Sequence, residues 1–320
     1  MTFSLRRPLW TALKYGISLL GLFYAFHDVP LETLWDTLKR YPPLPMLSVL
    51  LVSFTAYALM GLRLSRMIRP HLRFSSTFCA TLVGLAVNNV LPAKAGEVAK
   101  AVWIGRENDV PVQKAFGLVL MERFFDVNVL ALLSFWFLWM SGGKKIVLAF
   151  TACLLLGWAV LFAFRKKPFL MESFTLLLGK GRIKAFADQV LEAVVGNMTA
   201  RRLVWLALTS LAVWFFYSLQ MVLGIKFVAG FDMRWGEIVS VFAVSGLSML
   251  LPSSPGAIGV YEAFTVTVLR HYGVSQEEAL ALALFTHMAQ FIPVTLTGGL
   301  IFAFSPEAKR NRRDGPDGEM

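Results

Sequence analysis

Six stretches of this 320-residue chain are apolar over about the length a helix needs to cross a bilayer, roughly 20 residues. They run over 9–26, 46–62, 112–140, 145–164, 203–225 and 276–304. Hydrocarbon offers no partner to a backbone N–H or C=O, so uninterrupted blocks of this kind must be helical. A soluble core would instead scatter its apolar residues at helical or strand period. Composition agrees: 57% of residues are apolar and 16% charged, against about 25% charged in a soluble domain. Two further apolar stretches are interrupted. Ser75 to about Gly105 breaks at Leu91-Pro92-Ala93-Lys94-Ala95-Gly96, and Trp235 to about Arg270 breaks at Leu251-Pro252-Ser253-Ser254-Pro255-Gly256. Each half is short for a crossing and reads as one arm of a re-entrant hairpin or as a tilted span. The expected fold is an all-α polytopic membrane protein of six full spans plus two hairpins, or eight or more helices.

The net charge of +11 sits in the loops, which argues against nucleic acid as a partner and for orientation by positive loops. Arg6 and Arg7 precede the first block. Arg63, Arg66, Arg69 and Arg73 mark a loop at 63–73, and 165–202 carries eight more cations. Lys309, Arg310, Arg312 and Arg313 follow the last block. All four groups fall on one side, which is read as cytoplasmic, with both termini there. The opposite loops carry only Lys39, Arg40, Lys144, Lys145, Lys226 and Arg234. No small-x-small cleavage site follows the first block, so it reads as a retained span of a multi-pass protein of the cytoplasmic (inner) membrane. Residues 1–305 then form a single transmembrane domain, and the polar 306–320 reads as a disordered cytoplasmic tail. Within the basic loop, Ile183, Phe186, Val190, Val194 and Met198 recur at helical spacing. That is a helix lying on the membrane or packed on the protein's own base.

The two broken stretches resemble each other. Gly84-Leu85 leads to Leu91-Pro92 with Gly96 four residues later; Gly246-Leu247 leads to Leu251-Pro252 with Gly256 four residues later. Counting from Ala115 and Ala279 in the spans that follow, Arg123 aligns with His287 and Asp126 with Gln290. The halves, about 9–140 and 145–304, each read as span, span, broken segment, span. Three spans per half is odd, so the expected relation is an inverted-topology repeat, an architecture of transporters.

Non-helical backbone at membrane depth belongs where it lines a wet cavity. The helices restarting after each break, with Ser253 and Ser254 as caps, would aim two N-termini at an anion such as phosphate. Lys94, Glu97 and Lys100 lie on one face after the first break. Glu122, Arg123 and Asp126 lie deep in the third span, where charge is costly and marks a substrate path or a buried packing pair. Asn88 and Asn89 precede the first break; Gly259 and Glu262 follow the second; His287 and Gln290 lie in the last span. Together with Pro92, Gly96, Pro252 and Gly256 these are the candidate substrate-binding residues. No catalytic set is expected: there is no HExxH, GxSxG or Walker loop, and Glu277-Glu278 reads as a solvated helix start. Cys79 and Cys153 lie within apolar blocks and offer neither a disulfide framework nor a metal site. No metal or cofactor is expected.

Leu91 to Glu97, then Glu122-Arg123-Phe124-Phe125-Asp126, then Pro252 to Gly259 followed by Glu262, resemble the lysylphosphatidylglycerol synthase transmembrane family, also called flippase-like domain proteins. The resemblance covers about residues 10–305 and is with the stand-alone members, which lack the soluble synthase domain. Members commonly show arginine where this chain has Lys94, Lys100 and His287, so bidentate phosphate contact is less assured here. The resemblance implies a lipid flippase or transporter rather than an enzyme. An anionic phospholipid or polyprenyl-phosphate headgroup would pass by alternating access, its phosphate met by Lys94, Lys100 and Arg123. Glu97, Asp126 and Glu262 would orient those cations or bind an amine on the lipid. Two alternatives stand beside it: an intramembrane lipid-modifying transferase, and a scaffold for a partner lipid-synthesis enzyme docked on the basic loop. A homo-oligomer is left open.

Overall fold

The computed structural model describes residues 6–67, 72–92, 94–140, 143–249, 251 and 253–305. Among these the fold is all-α. The order is α1 (Arg6–Phe26), α2 (Leu31–Lys39), α3 (Pro43–Ser65), α4 (Phe74–Val90), α5 (Ala95–Glu107), α6 (Val112–Met140) and α7 (Lys144–Lys166). Then come α8 (Pro168–Leu178), α9 (Arg182–Gly196), α10 (Ala200–Leu223), α11 (Trp235–Ser248), α12 (Val260–His271) and α13 (Gln276–Phe304). Pro252 and the 306–320 tail lie outside the described residues. Among the described residues four helices are long and apolar enough to cross a membrane: α3, α7 from Val147, α10 continued to Val228, and α13. At 29 residues α6 matches α13 in length but carries Glu122, Arg123 and Asp126 in its first half. Leu20, Leu132, Leu156, Leu208, Phe215, Leu296 and Leu300 all stand exposed. An apolar girdle of that extent belongs against lipid.

The breaks are sharp. Residues α4 and α5 span 17 and 13 positions, α11 and α12 span 14 and 12. At 1.5 Å per residue these are about 18 to 26 Å, short of a ~30 Å hydrocarbon core. Each pair folds back on itself. Gly84 in α4 lies against Gly96 and Lys100 in α5, and a Cβ on Gly96 would overlap the Gly84 carbonyl. In the second pair the Ser245 and Thr265 hydroxyls meet at 2.7 Å. Both broken segments are therefore helical hairpins. They also exchange partners. The first hairpin packs on the last helix of the chain, with Gly298 of α13 seated on the Leu82 carbonyl of α4. The second packs on α6, with Gly246 against Leu130. Glycine at these positions lets backbones approach closely, the packing that substitutes for a hydrophobic driving force in lipid.

The basic stretch holds two helices, of which the second is the amphipathic one expected there. The stretch 165–202, read as a loop, contains α8, whose eleven residues include exposed Phe169, Phe174, Leu176 and Leu177. The amphipathic segment forms α9 and divides between the two readings made of it. Val190, Val194 and Met198 are buried against α6, where the Val190 carbonyl sits on Gly117, while Ile183 and Phe186 face outward.

The Gly298 contact generates a test. Gly298→Val places a branched side chain on the Leu82 backbone, and overpacking of this kind costs about 1–3 kcal/mol. Its thermal midpoint in detergent should fall. Gly299→Ala, where an added Cβ meets nothing, should leave the midpoint unchanged or raise it. Equal midpoints for the two variants would show that α4 and α13 do not pack at this glycine.

Candidate functional site

The two hairpin tips meet in the middle of the molecule. Lys94, at the start of α5 in a left-handed conformation (φ 56°), donates from Nζ to the Met249 carbonyl at the end of α11, 3.2 Å away. Asn89, at the end of α4, donates from Nδ2 to the Phe291 carbonyl and the Thr295 hydroxyl of α13 at 3.3 and 2.8 Å. Between the tips lies a cavity of about 870 Å³. Its walls include Asn88, Asn89, Pro92, Lys94, Glu97, Arg123 and Asp126 from the first half. From the second half come Ser253, Ser254, Gly256, His287 and Gln290.

The remaining described candidates stand behind that wall. Lys100 and Glu122 are 3% and 0% exposed and pair with each other at 2.7 Å. Gly96 is packed on α4, Gly259 on the Ser18 carbonyl of α1, and Glu262 lies behind His287. The helix-cap expectation is corrected. Neither Ser253 nor Ser254 caps α12, which begins only at Val260. The Gly259 amide is instead taken by the Glu262 carboxylate at 2.7 Å. The Gly96 amide is likewise taken by the Asn88 side chain at 2.8 Å. These helix starts are partly filled by the chain's own acceptors, so the donors the cavity offers an anion are the side chains of Lys94 and Arg123 rather than bare amides.

Beneath the first hairpin runs a buried charge network whose central member is Arg63. The sequence places it in a cytoplasmic loop; the structure puts it in α3, 0% exposed. Its guanidinium donates to Glu122 Oε1 at 3.1 Å, to Asp126 Oδ1 and Oδ2 at 2.7 and 3.2 Å, and to the Ser210 hydroxyl of α10 at 2.7 Å. Lys100 holds the second oxygen of Glu122. Arg123, one third exposed, faces the cavity and lies 3.4 Å from Asp126 and 3.6 Å from Glu97. Glu97 in turn accepts from Asn88 at 3.2 Å. Three cations (Arg63, Lys100, Arg123) thus balance three carboxylates (Glu97, Glu122, Asp126). Lys94 is left over, exposed, bonded to a neutral carbonyl.

The second half carries a smaller version of the same motif. Where Glu97 after the first break approaches Arg123, Glu262 after the second break meets His287 Nδ1 at 2.6 Å. The other ring nitrogen contacts the Gly256 carbonyl at 2.9 Å. Three polar groups of cavity-lining residues, Arg123 Nε, Trp214 Nε1 and Gln220 Oε1, are buried with no hydrogen-bond partner among the described residues. Among the described residues no cluster of three histidine, cysteine or carboxylate side chains could hold a metal.

Removing Arg63 leaves Lys100 and Arg123 to balance three carboxylates, so one buried carboxylate charge is uncompensated, which costs about 3–5 kcal/mol. Arg63→Ala should abolish folded protein in detergent. Arg63→Lys, which cannot span Glu122, Asp126 and Ser210 together, should be intermediate, and Lys94→Ala should keep the wild-type midpoint. Thermal unfolding followed by tryptophan fluorescence reads all three; a stable Arg63→Ala protein would remove Arg63 from the centre of the network.

Comparison with known proteins gives two matches. The family described as lysylphosphatidylglycerol synthase TM region matches residues 11–298. A curated relative, "Glycosyltransferase AglD" of Haloferax volcanii, is 30% identical over 267 residues, covering 69% of this chain and 42% of that protein. The chain therefore spans less than half the length of that relative.

Proposed function

The chain belongs to the lysylphosphatidylglycerol synthase TM-region family, and from that premise we propose that it moves a lipid with an anionic headgroup across the membrane. The observation that carries this reading is the cavity between the hairpin tips, with Lys94 and Arg123 facing it and Lys94 in excess of the local carboxylates. About 870 Å³ is headgroup-sized and lies within the range of small-molecule sites. Arginine supplies a planar fork for phosphate and lysine a mobile point charge. Glu97 and Asp126 hold Arg123 in place.

Transport is supported by the internal correspondence. The two hairpins, each packed on the other half's last helix, and the paired motifs Glu97–Arg123 and Glu262–His287 fit an inverted repeat closed around one central site. In that arrangement the hairpins are re-entrant, the termini are cytoplasmic, and the halves rock about the α3–α10 contact. The relevant membrane is the cytoplasmic one. Lipid or glycolipid biosynthesis or transport is common ground with the family. The transferase alternative draws on the relative's name. It predicts a missing lipid species in a deletion strain, where transport predicts an unchanged species on the wrong leaflet.

Translocation is measured with fluorescent phosphatidylglycerol in proteoliposomes, by dithionite quenching. The wild type should move it faster than protein-free vesicles do and faster than it moves fluorescent phosphatidylcholine. Arg123→Ala and Lys94→Ala should each slow it about ten- to a hundredfold, the worth of one charge-assisted contact of about 1.5–3 kcal/mol. Vesicles with wild type no faster than empty ones would end the transport reading. Variants as fast as wild type would end the site assignment.

A further inference from the structure

The imidazole of His287 stands between two acceptors. On one side Nε2 lies 2.9 Å from the Gly256 carbonyl, in the tip of the second hairpin; on the other Nδ1 lies 2.6 Å from Glu262 Oε1. A carbonyl oxygen only accepts, so Nε2 must carry a hydrogen. A 2.6 Å contact between nitrogen and carboxyl oxygen also needs a proton between them. Neutral histidine with an ionised glutamate has one ring hydrogen and can satisfy only one of these contacts. Both are made only when the pair holds an additional proton, as imidazolium with carboxylate or as imidazole with carboxylic acid.

We propose that the Glu262–His287 pair is the site of a coupling proton, whose release unpins the tip of the second hairpin from α13. It rests on the transport reading for what the proton is coupled to, and on geometry alone for the site. Arg123, at the corresponding position of the first half, is always charged; histidine is the side chain that switches near neutral pH. The site is reachable because His287 lines the cavity, while Glu262 is 1% exposed behind it. Among the described residues neither member has another ion-pair partner. The groups around them are neutral. From α12, Tyr261 stacks 4.5 Å from the imidazole and meets Thr286; Thr265 meets Ser245 of α11. Gln220 of α10 reaches the Thr286 carbonyl, Phe291 and Gln290 lie along α13, and Ser18 of α1 accepts from the Ser254 amide. The charges facing them are those shared by the cavity: Arg123 and Asp126 from α6, and Lys94 and Glu97 from the first hairpin.

The sign follows from the two contacts. Below the transition the pair is protonated, both bonds are made and Gly256 is held. As pH rises the proton leaves, the remaining ring hydrogen goes to the now charged carboxylate, and the Gly256 carbonyl loses its donor. Gly256 (φ 67°) and Gly259 (φ 87°) allow the freed tip to swing.

The test reads the tip directly. Ser253→Cys is introduced with Cys79 and Cys153 changed to serine, and labelling by a water-soluble maleimide is followed in lipid nanodiscs from pH 6 to 9. Two reference proteins carry the same cysteine. In Glu262→Gln the amide donates to Nδ1 at every pH, and in His287→Arg the cation is permanent. Taking the ratio to a reference cancels the thiol's own titration. That ratio should rise about fivefold with pH, the factor one buried hydrogen bond carries. A flat ratio overturns the proposal. Should both references fail to fold, a protein keeping His287 as its sole histidine (His27, His71 and His271 changed to Asn) decides by ring 15N NMR. A pH-dependent Nδ1 signal supports the site, and one unchanged over that range overturns it. No lipid substrate enters either experiment, so failed translocation and a failed proton site are separate results.

Discussion

Arg63 is the interaction on which the rest of the architecture depends. A guanidinium with no exposed surface sits among helices whose outer faces meet hydrocarbon, and such a charge is tolerable only when paired and hydrogen-bonded. Its four contacts reach Glu122, Asp126 and Ser210, and so join α3, α6 and α10. Through Glu122 the network passes to Lys100 and fixes α5, the returning arm of the first hairpin. The orientation of Arg123 follows from this frame. Asp126 is already anchored by Arg63 when it approaches Arg123, so the cavity-facing cation is set against a carboxylate that does not move. Buried charge here organises position more than it adds stability.

Glycine does the complementary work. Lipid gives helices no hydrophobic reason to associate, so close approach must supply the contact. Gly84 against Gly96 closes the first hairpin, Gly298 on Leu82 docks it to α13, and Gly259 on Ser18 sets the start of α12 against α1. The result is two short hairpins held along their lengths and bonded at their tips, where Lys94 reaches the Met249 carbonyl and His287 the Gly256 carbonyl. Backbone that leaves the helical path there is tolerated because it lines a cavity rather than facing lipid.

The two halves place the same kinds of group at corresponding points and then differ in strength. The first has an acid, an always-charged arginine and a deep network of further charges. The second has an acid, a histidine and neutral surroundings. The charged side chains on the cavity wall, Lys94, Glu97, Arg123 and Asp126, thus come from the first half, and His287 from the second.

Much of the fold was legible from the residues. Long apolar blocks dictated spanning helices, because the bilayer leaves the backbone no other choice. The Pro/Gly breaks marked where α4 and α11 stop. Candidate charges in the first half were found because charge inside an apolar block is rare enough to notice. What the sequence could not decide was which of them face the cavity. Lys94, Glu97 and Lys100 share one helix, yet only tertiary packing turns Lys100 inward to Glu122 and leaves Lys94 at the tip. Nor could it reveal Arg63. The acids Glu97, Glu122 and Asp126 already had three visible cations in Lys94, Lys100 and Arg123, and an arginine closing an apolar block reads as a loop charge. Its partners lie 59, 63 and 147 residues away. Local sequence fixes where a helix runs, but long-range packing alone fixes what a buried charge meets, because that depends on helices brought together only by the fold.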